Sequence, residues 1–211
     1  MDNKEMTDLQ QELLKAIPYL KGWTKQNDHY DKLSNFIYNT TNFVDIIEKS
    51  NLNKLPISYV CHRWYNYHTS KVTEKIFEKY GCIREKNLKH KEIDIYFKQI
   101  PYDIKLTVLP LKYKGNTDFK NKKGRDDLII WYYKNQSQEG RKHLANRLFV
   151  VCKSKNNNYE DSLKLKCNFI LIEKAVFEFI KYYSNRQLNT VSFVHEGKIK
   201  IVYSDIIIVE N

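Results

Sequence analysis

Hydrophobic residues recur at helical spacing near the start of the chain, where Leu9, Leu13, Leu14 and Ile17 follow Thr7 as a cap and Pro18 limits the run. A second helical pattern passes through Leu33, Phe36, Ile37, Phe43, Ile46 and Ile47, and Asn51 to Pro56 reads as a connector. Thr69 or Ser70 then caps a helix carrying Val72, Ile76, Phe77 and Tyr80, which Gly81 stops. Beyond it the period changes to two. Cys82 to Leu88 reads as a strand, Ile93 to Lys98 and Tyr102 to Leu109 alternate apolar with polar residues, and Gln99 to Pro101 forms the turn between them. Together they make a three-stranded antiparallel meander.

Lys112 to Gly124, rich in Lys, Asn and Gly, reads as an exposed basic loop, followed by a helix that starts at Asp126 or Asp127 and carries Leu128, Ile129, Trp131 and Tyr132. The continuous apolar run Leu148 to Cys152 is the pattern of a central strand covered on both faces. Asn156 to Asn158 marks a loop, Glu173 to Tyr183 a helix, and Thr190 to Val194 with Lys198 to Val209 a hairpin around Glu196 and Gly197. The expected fold is α/β: a mixed central sheet with helices on both faces, in one domain. Residues 1–66 form its helical N-terminal region, 67–155 its core, and 156–211 a C-terminal helix and hairpin.

Composition adds limits and one positive signal. No apolar run approaches the ~20 residues that span a bilayer, and the polar, acidic start does not resemble a signal peptide, so a cytoplasmic protein without a membrane partner is expected. The four cysteines are far apart and form no CxxC pair, which excludes a zinc knuckle or redox motif and suits a reducing compartment. Of the net charge of +11, residues 84–155 hold 18 basic and 8 acidic side chains. That concentration points to a polyanionic partner.

The candidate chemistry lies in the meander. An acid-x-Lys triplet occurs four times in the chain, about as often as chance places it. Only Asp103 and Lys105 fall inside a predicted strand. Asp103, Lys105 and Thr107 share one face of that strand and Ile104, Leu106 and Val108 the other, while Asp94, Tyr96 and Lys98 lie opposite Ile93, Ile95 and Phe97. If Lys98 pairs with Pro101, Asp94 faces Lys105 and has Asp103 as its diagonal neighbour, ~7–8 Å away. Carboxylates so placed can converge on one divalent cation.

Here the chain resembles the PD-(D/E)xK nuclease superfamily over Ser70 to Lys153, through TSKVTEKIFEKYG, EIDIYFK, PYDIKLTVLP, RDDLIIWYYKNQS and NRLFVVCKS. The resemblance implies a core of a helix, a three-strand meander, a helix and a further strand. Asp94 and Asp103 would bind Mg²⁺, or Mn²⁺ in its place, with the main-chain carbonyl of Ile104. Lys105 would position the attacking water and stabilise developing charge. Glu74, one helix earlier, matches an extra acidic residue that some members contribute, and Ile93 stands where many members have proline. The implied protein is a restriction endonuclease-like deoxyribonuclease that cuts DNA as a homodimer.

Around this centre Lys112, Lys114, Lys120, Lys122, Lys123 and Arg125 of the basic loop are candidate DNA contacts, and Gln136, Arg141 and Arg147 candidate phosphate contacts. Each has a plainer counterpart. Asp94, Asp103 and Lys105 suit a cross-strand salt bridge on a solvated sheet face, and Glu78 and Glu92 compete with Glu74 for any role at the metal. His62, His68 and His143 lack partners at metal spacing. Trp64, Tyr65 and Tyr67 suit core packing as well as base stacking. The rival function is a nucleic-acid-binding protein without catalysis.

Overall fold

The computed structural model describes residues 2–20, 26–87, 92–135, 144–156 and 158–211. Gln136, Arg141 and His143 lie outside them.

The first helix, α1 (Asn3–Ala16), begins earlier than the apolar pattern suggested, because Asp2 and Glu5 form a reciprocal capping box with 2.8 Å bonds in both directions. Leu9, Leu13 and Ala16 are buried along it. The expected second helix is three pieces: α2 (Asp28–Leu33), a 3-10 turn (Asn35–Tyr38) and α3 (Phe43–Leu52). Asn27 caps α2 and Asn42 caps α3 through their side-chain oxygens, so each asparagine restarts the helix. Next, α4 (Ile57–Lys79) runs through Thr69 and Ser70 without a break. Thr69 and Thr73 return their hydroxyls to the carbonyls four residues earlier, at 2.8 and 2.9 Å, and so cap nothing. Trp64 and Tyr65 are fully buried on α4, which gives the aromatic cluster to the core.

The sheet contains β1 (Ile83–Arg84), β2 (Ile95–Phe97), β3 (Ile100–Val108), β4 (Arg147–Cys152), β5 (Thr190–His195) and β6 (Lys198–Val209), in spatial order β1-β2-β3-β4-β6-β5. The β1/β2, β2/β3 and β5/β6 pairs are antiparallel, whereas β3/β4 and β4/β6 are parallel. A parallel neighbour requires a crossover, and α5 (Lys122–Lys134) makes it between β3 and β4. This helix starts four residues before Asp126, capped by Asn121 on the Gly124 amide at 2.7 Å, so the basic loop is shorter than expected. A short helix absent from the sequence reading, α6 (Tyr159–Lys166), precedes α7 (Phe169–Tyr183). The fold is thus α/β, with seven α-helices and a six-stranded mixed sheet among the described residues.

Every residue of β4 is buried, and its side chains alternate between two cores. Leu148, Val150 and Cys152 join Trp64, Phe77, Ile172 and Val176 beneath α1, α4, α6 and α7. Phe149 and Val151 join Leu128, Ile129 and Phe193 beneath α5. All four cysteines are free and buried. No helix among the described residues is long and apolar enough to cross a membrane.

Candidate active site

The hairpin joining β2 to β3 closes differently from the sequence expectation. Its turn is Lys98–Gln99, both at positive φ (49° and 66°), and Phe97 pairs with Ile100. Pro101 therefore lies within β3, opposite Tyr96, and Ile95 opposes Tyr102. Relative to the expected register the position across from Asp94 moves by two residues, from Lys105 to Asp103. The Asp94 amide donates to the Tyr102 carbonyl at 2.9 Å, and its Oδ2 accepts the Ile104 amide at 2.7 Å. A strand residue sends its N–H and C=O to the same edge, so the Ile104 carbonyl also points to the side that holds Asp94.

Asp103 is not on a solvated face. It is 4% exposed, on the side of β3 that meets α5, where the next outward position, Lys105, pairs with Phe149. Its Oδ1 lies 2.7 Å from Lys105 Nζ and its Oδ2 2.7 Å from Arg147 Nε. Arg147 is itself buried, directly opposite Asp103 in the parallel ladder. Its side chain is turned inward, away from the surface where a phosphate contact would need it. Sequence reading gave Arg147 that surface role because its helix-to-strand junction looked like a loop. The available signal was its place one residue before an apolar run that admits no unpaired charge.

Glu74, on α4, is also buried and doubly paired. Lys71 Nζ reaches its two oxygens at 2.9 and 2.8 Å, and an Arg84 guanidinium nitrogen from β1 lies at 3.0 Å from Oε2. Asp94 differs from both acids: among the described residues no cation pairs with it. Burial pushes its carboxyl up to about 6, with Asp103 and Glu74 adding repulsion and the Ile104 amide and Lys105 opposing the rise. Asp94 thus feels both neighbouring carboxylates without a cation of its own to offset them.

This donor set suits a hard divalent cation, which prefers carboxylate and carbonyl oxygens and relieves excess negative charge. The carboxylates are not preassembled around one point. Among the described residues no three His, Cys, Asp or Glu side chains are gathered as a metal-holding group. Glu92 is exposed just outside β2.

The residues of the basic loop lie away from these acids. Lys112, Lys114, Lys120, Lys122 and Lys123 are exposed, but they follow the C-terminal end of β3, about 16 Å along the strand from Asp103. Lys122 is paired with Asp126 at 2.5 Å. Arg125 is half-buried and donates to the Phe119 and Lys120 carbonyls at 3.2 and 3.0 Å, and to Asp205 at 3.1 Å. Its guanidinium is therefore structural. Asp205, which sequence reading passed over, is buried and also accepts the Tyr183 hydroxyl and the Ile206 amide. It borders an open groove of about 750 Å³ between α7 and the C-terminal half of β6, which none of the meander carboxylates lines. His68 is buried with Nε2 3.0 Å from the carbonyls of Ile37 and Thr40, and burial pushes its pKa down. Burial also takes His62 down to about 4, with Lys166 contributing. Comparison with family models, with curated proteins and with solved structures gives no match.

Proposed function

We propose that the chain is a Mg²⁺-dependent deoxyribonuclease of the restriction endonuclease-like type, hydrolysing phosphodiester bonds in DNA. The observation that carries this reading is the attachment of Asp94 to the residues on either side of Asp103, with Lys105 on Asp103 itself. The succession α4, β1, β2, β3, α5, β4 supports it, because the PD-(D/E)xK resemblance implies that order. Asp94, Asp103, the Ile104 carbonyl and Glu74 would hold Mg²⁺ or Mn²⁺. A bound divalent cation supplies Lewis-acid polarisation of the phosphate and a lowered pKa for water.

The protein's own groups do the rest. Lys105, half-exposed at the lip of the acids, presents an ammonium where charge develops on the phosphoryl oxygens. The Ile104 amide holds Asp94 in place beside the β3 edge. The exposed lysines of residues 112–123 would bind backbone phosphates. A homodimer, with one site for each strand of a duplex, belongs to the same proposal.

One observation favours the second reading, a nucleic-acid-binding protein without catalysis. Asp103 and Glu74 are already neutralised by four basic side chains, as structural ion pairs are. Cleavage of supercoiled and linear DNA with Mg²⁺ or Mn²⁺, comparing wild type with Asp103→Asn and Lys105→Ala, separates the two. Metal-dependent cutting lost in both variants, with DNA binding retained, supports the nuclease. Salt-sensitive binding that ignores metal, with no cutting by the wild type, supports the binding protein.

A further inference from the structure

Asp103 meets two cations of opposite character. Arg147 is buried, pairs with Asp103 across adjacent parallel strands, and lies with its guanidinium carbon 5.7 Å from the centre of the Tyr133 ring. Its strand is fixed further by the Ser204 hydroxyl, which donates to the Arg147 carbonyl at 2.8 Å. Breaking such a buried pair leaves an uncompensated charge, so the arrangement holds firmly. Lys105 reaches the other oxygen from a side chain that is 47% exposed. An ammonium so placed exchanges its partner for water at small cost.

We infer that the two oxygens of Asp103 have separate duties: Arg147 is a positioning residue that keeps Oδ2, and Oδ1 is the exchangeable oxygen, held by Lys105 until a divalent cation takes it. The inference rests on the nuclease reading and specifies how its site is armed. Arg147 holds Oδ2 on the β4 side, which leaves Oδ1 to Lys105, while Asp94 binds the Ile104 amide from the other edge of β3. A cation arriving at Oδ1 displaces Lys105, whose ammonium is then available to a phosphate. Cation binding and release of the lysine are one event, and a site without cation keeps its lysine occupied.

The test is Mn²⁺ binding to the whole chain without DNA, by isothermal titration calorimetry, for wild type, Lys105→Met and Arg147→Lys. With its competitor removed, K105M binds Mn²⁺ about two- to fivefold tighter, the range expected for loss of a half-exposed ion pair. R147K keeps the charge but not the fixed Nε contact, and binds about tenfold more weakly. Circular dichroism melts check that both variants fold, and if R147K does not, K105M alone decides. Wild-type affinity in K105M overturns the exchange, and wild-type affinity in a folded R147K overturns the positioning role. If either occurs while the wild type cuts DNA with Mn²⁺, the inference fails and the nuclease reading stands. If the wild type neither binds Mn²⁺ nor cuts DNA, the reading has failed and the inference with it.

Discussion

Asp94 is fastened to both chain neighbours of Asp103, giving its amide to the Tyr102 carbonyl and taking the Ile104 amide on its carboxylate. The backbone of β3 therefore fixes the spacing of the two acids, and their mutual repulsion is held in place by hydrogen bonds that neither can relax. Burial and the neighbouring carboxylates lift the Asp94 carboxyl from 3.8 to about 6.

That shift has a definite sign. The fold binds the Asp94 proton more tightly than the unfolded chain does, so the group's stabilising contribution is complete below about pH 3.8 and disappears as pH rises through 6. At pH 8 the ionised group opposes folding. Asp94→Asn, which can still accept the Ile104 amide, is expected to raise the melting temperature at pH 8 by the equivalent of ~1–2 kcal/mol, after allowance for solvent screening. The gain vanishes near pH 4, and DNA cutting is lost. A variant that melts below the wild type at pH 8 would contradict the electrostatic account.

Gln99 occupies a left-handed conformation at φ 66° without being glycine or asparagine. Gln99→Gly is expected to stabilise the protein by ~0.5–1 kcal/mol, since the turn's backbone is one that glycine enters without steric cost. Urea unfolding measures it. Unchanged or lower stability would mean that the Gln99 side chain contributes more than its backbone strain costs.

Lys166 is buried with Nζ 2.6 Å from Asn66 Oδ1, and burial takes its pKa down from 10.5 to about 8. Here the folded state releases the proton more readily, so stability rises between pH 8 and 10.5. Lys166→Met removes that penalty but leaves Asn66 without its donor, for a net gain of ~1–2 kcal/mol at pH 7. Thermal melts of the two proteins should cross between pH 8 and 10.5, because the neutral lysine still donates to Asn66 and the methionine does not. A constant difference across that range would refute the assignment.

For DNA affinity the exposed Lys120 and Lys123 give the clearest signal. Replacing both with Gln is expected to lower the slope of log affinity against log salt by about 1.8, or about 0.9 for each phosphate that is no longer neutralised. Fluorescence anisotropy with a labelled duplex, without metal, provides the measurement. An unaltered slope would place the duplex on another face.

Much of the fold is legible because its signals are local. The run from Leu148 to Cys152 announces a strand buried on both faces, and Glu196–Gly197 announces a hairpin. The turn at Lys98–Gln99 is illegible for the opposite reason: neither residue favours positive φ, whereas Pro101 looks like a turn residue while lying in a strand. Thr69 and Ser70 read as caps because a hydroxyl's back-bond to its own helix leaves no mark in the pattern. At the site, alternation gives the shared face of Asp103 and Lys105. Only the tertiary structure places Arg147 behind Asp103 and Arg84 on Glu74. Those contacts join residues on different elements, and neither composition nor periodicity encodes such pairings.

The last strand in chain order, β6, does not lie at the rim of the sheet. It sits between β4 and β5, so Ser204 to Val209 supply one of the two flanks of β4 after the other five strands have been made. On a ribosome the site residues Asp94, Asp103 and Arg147 thus emerge well before the strand that seals the core behind them. Until β6 arrives, β4 is an uncovered apolar edge, the feature through which nascent chains join one another. Any product cut short before Ser204 would carry all of these residues yet be prone to aggregate, which delays a finished site until synthesis has passed the sheet's centre.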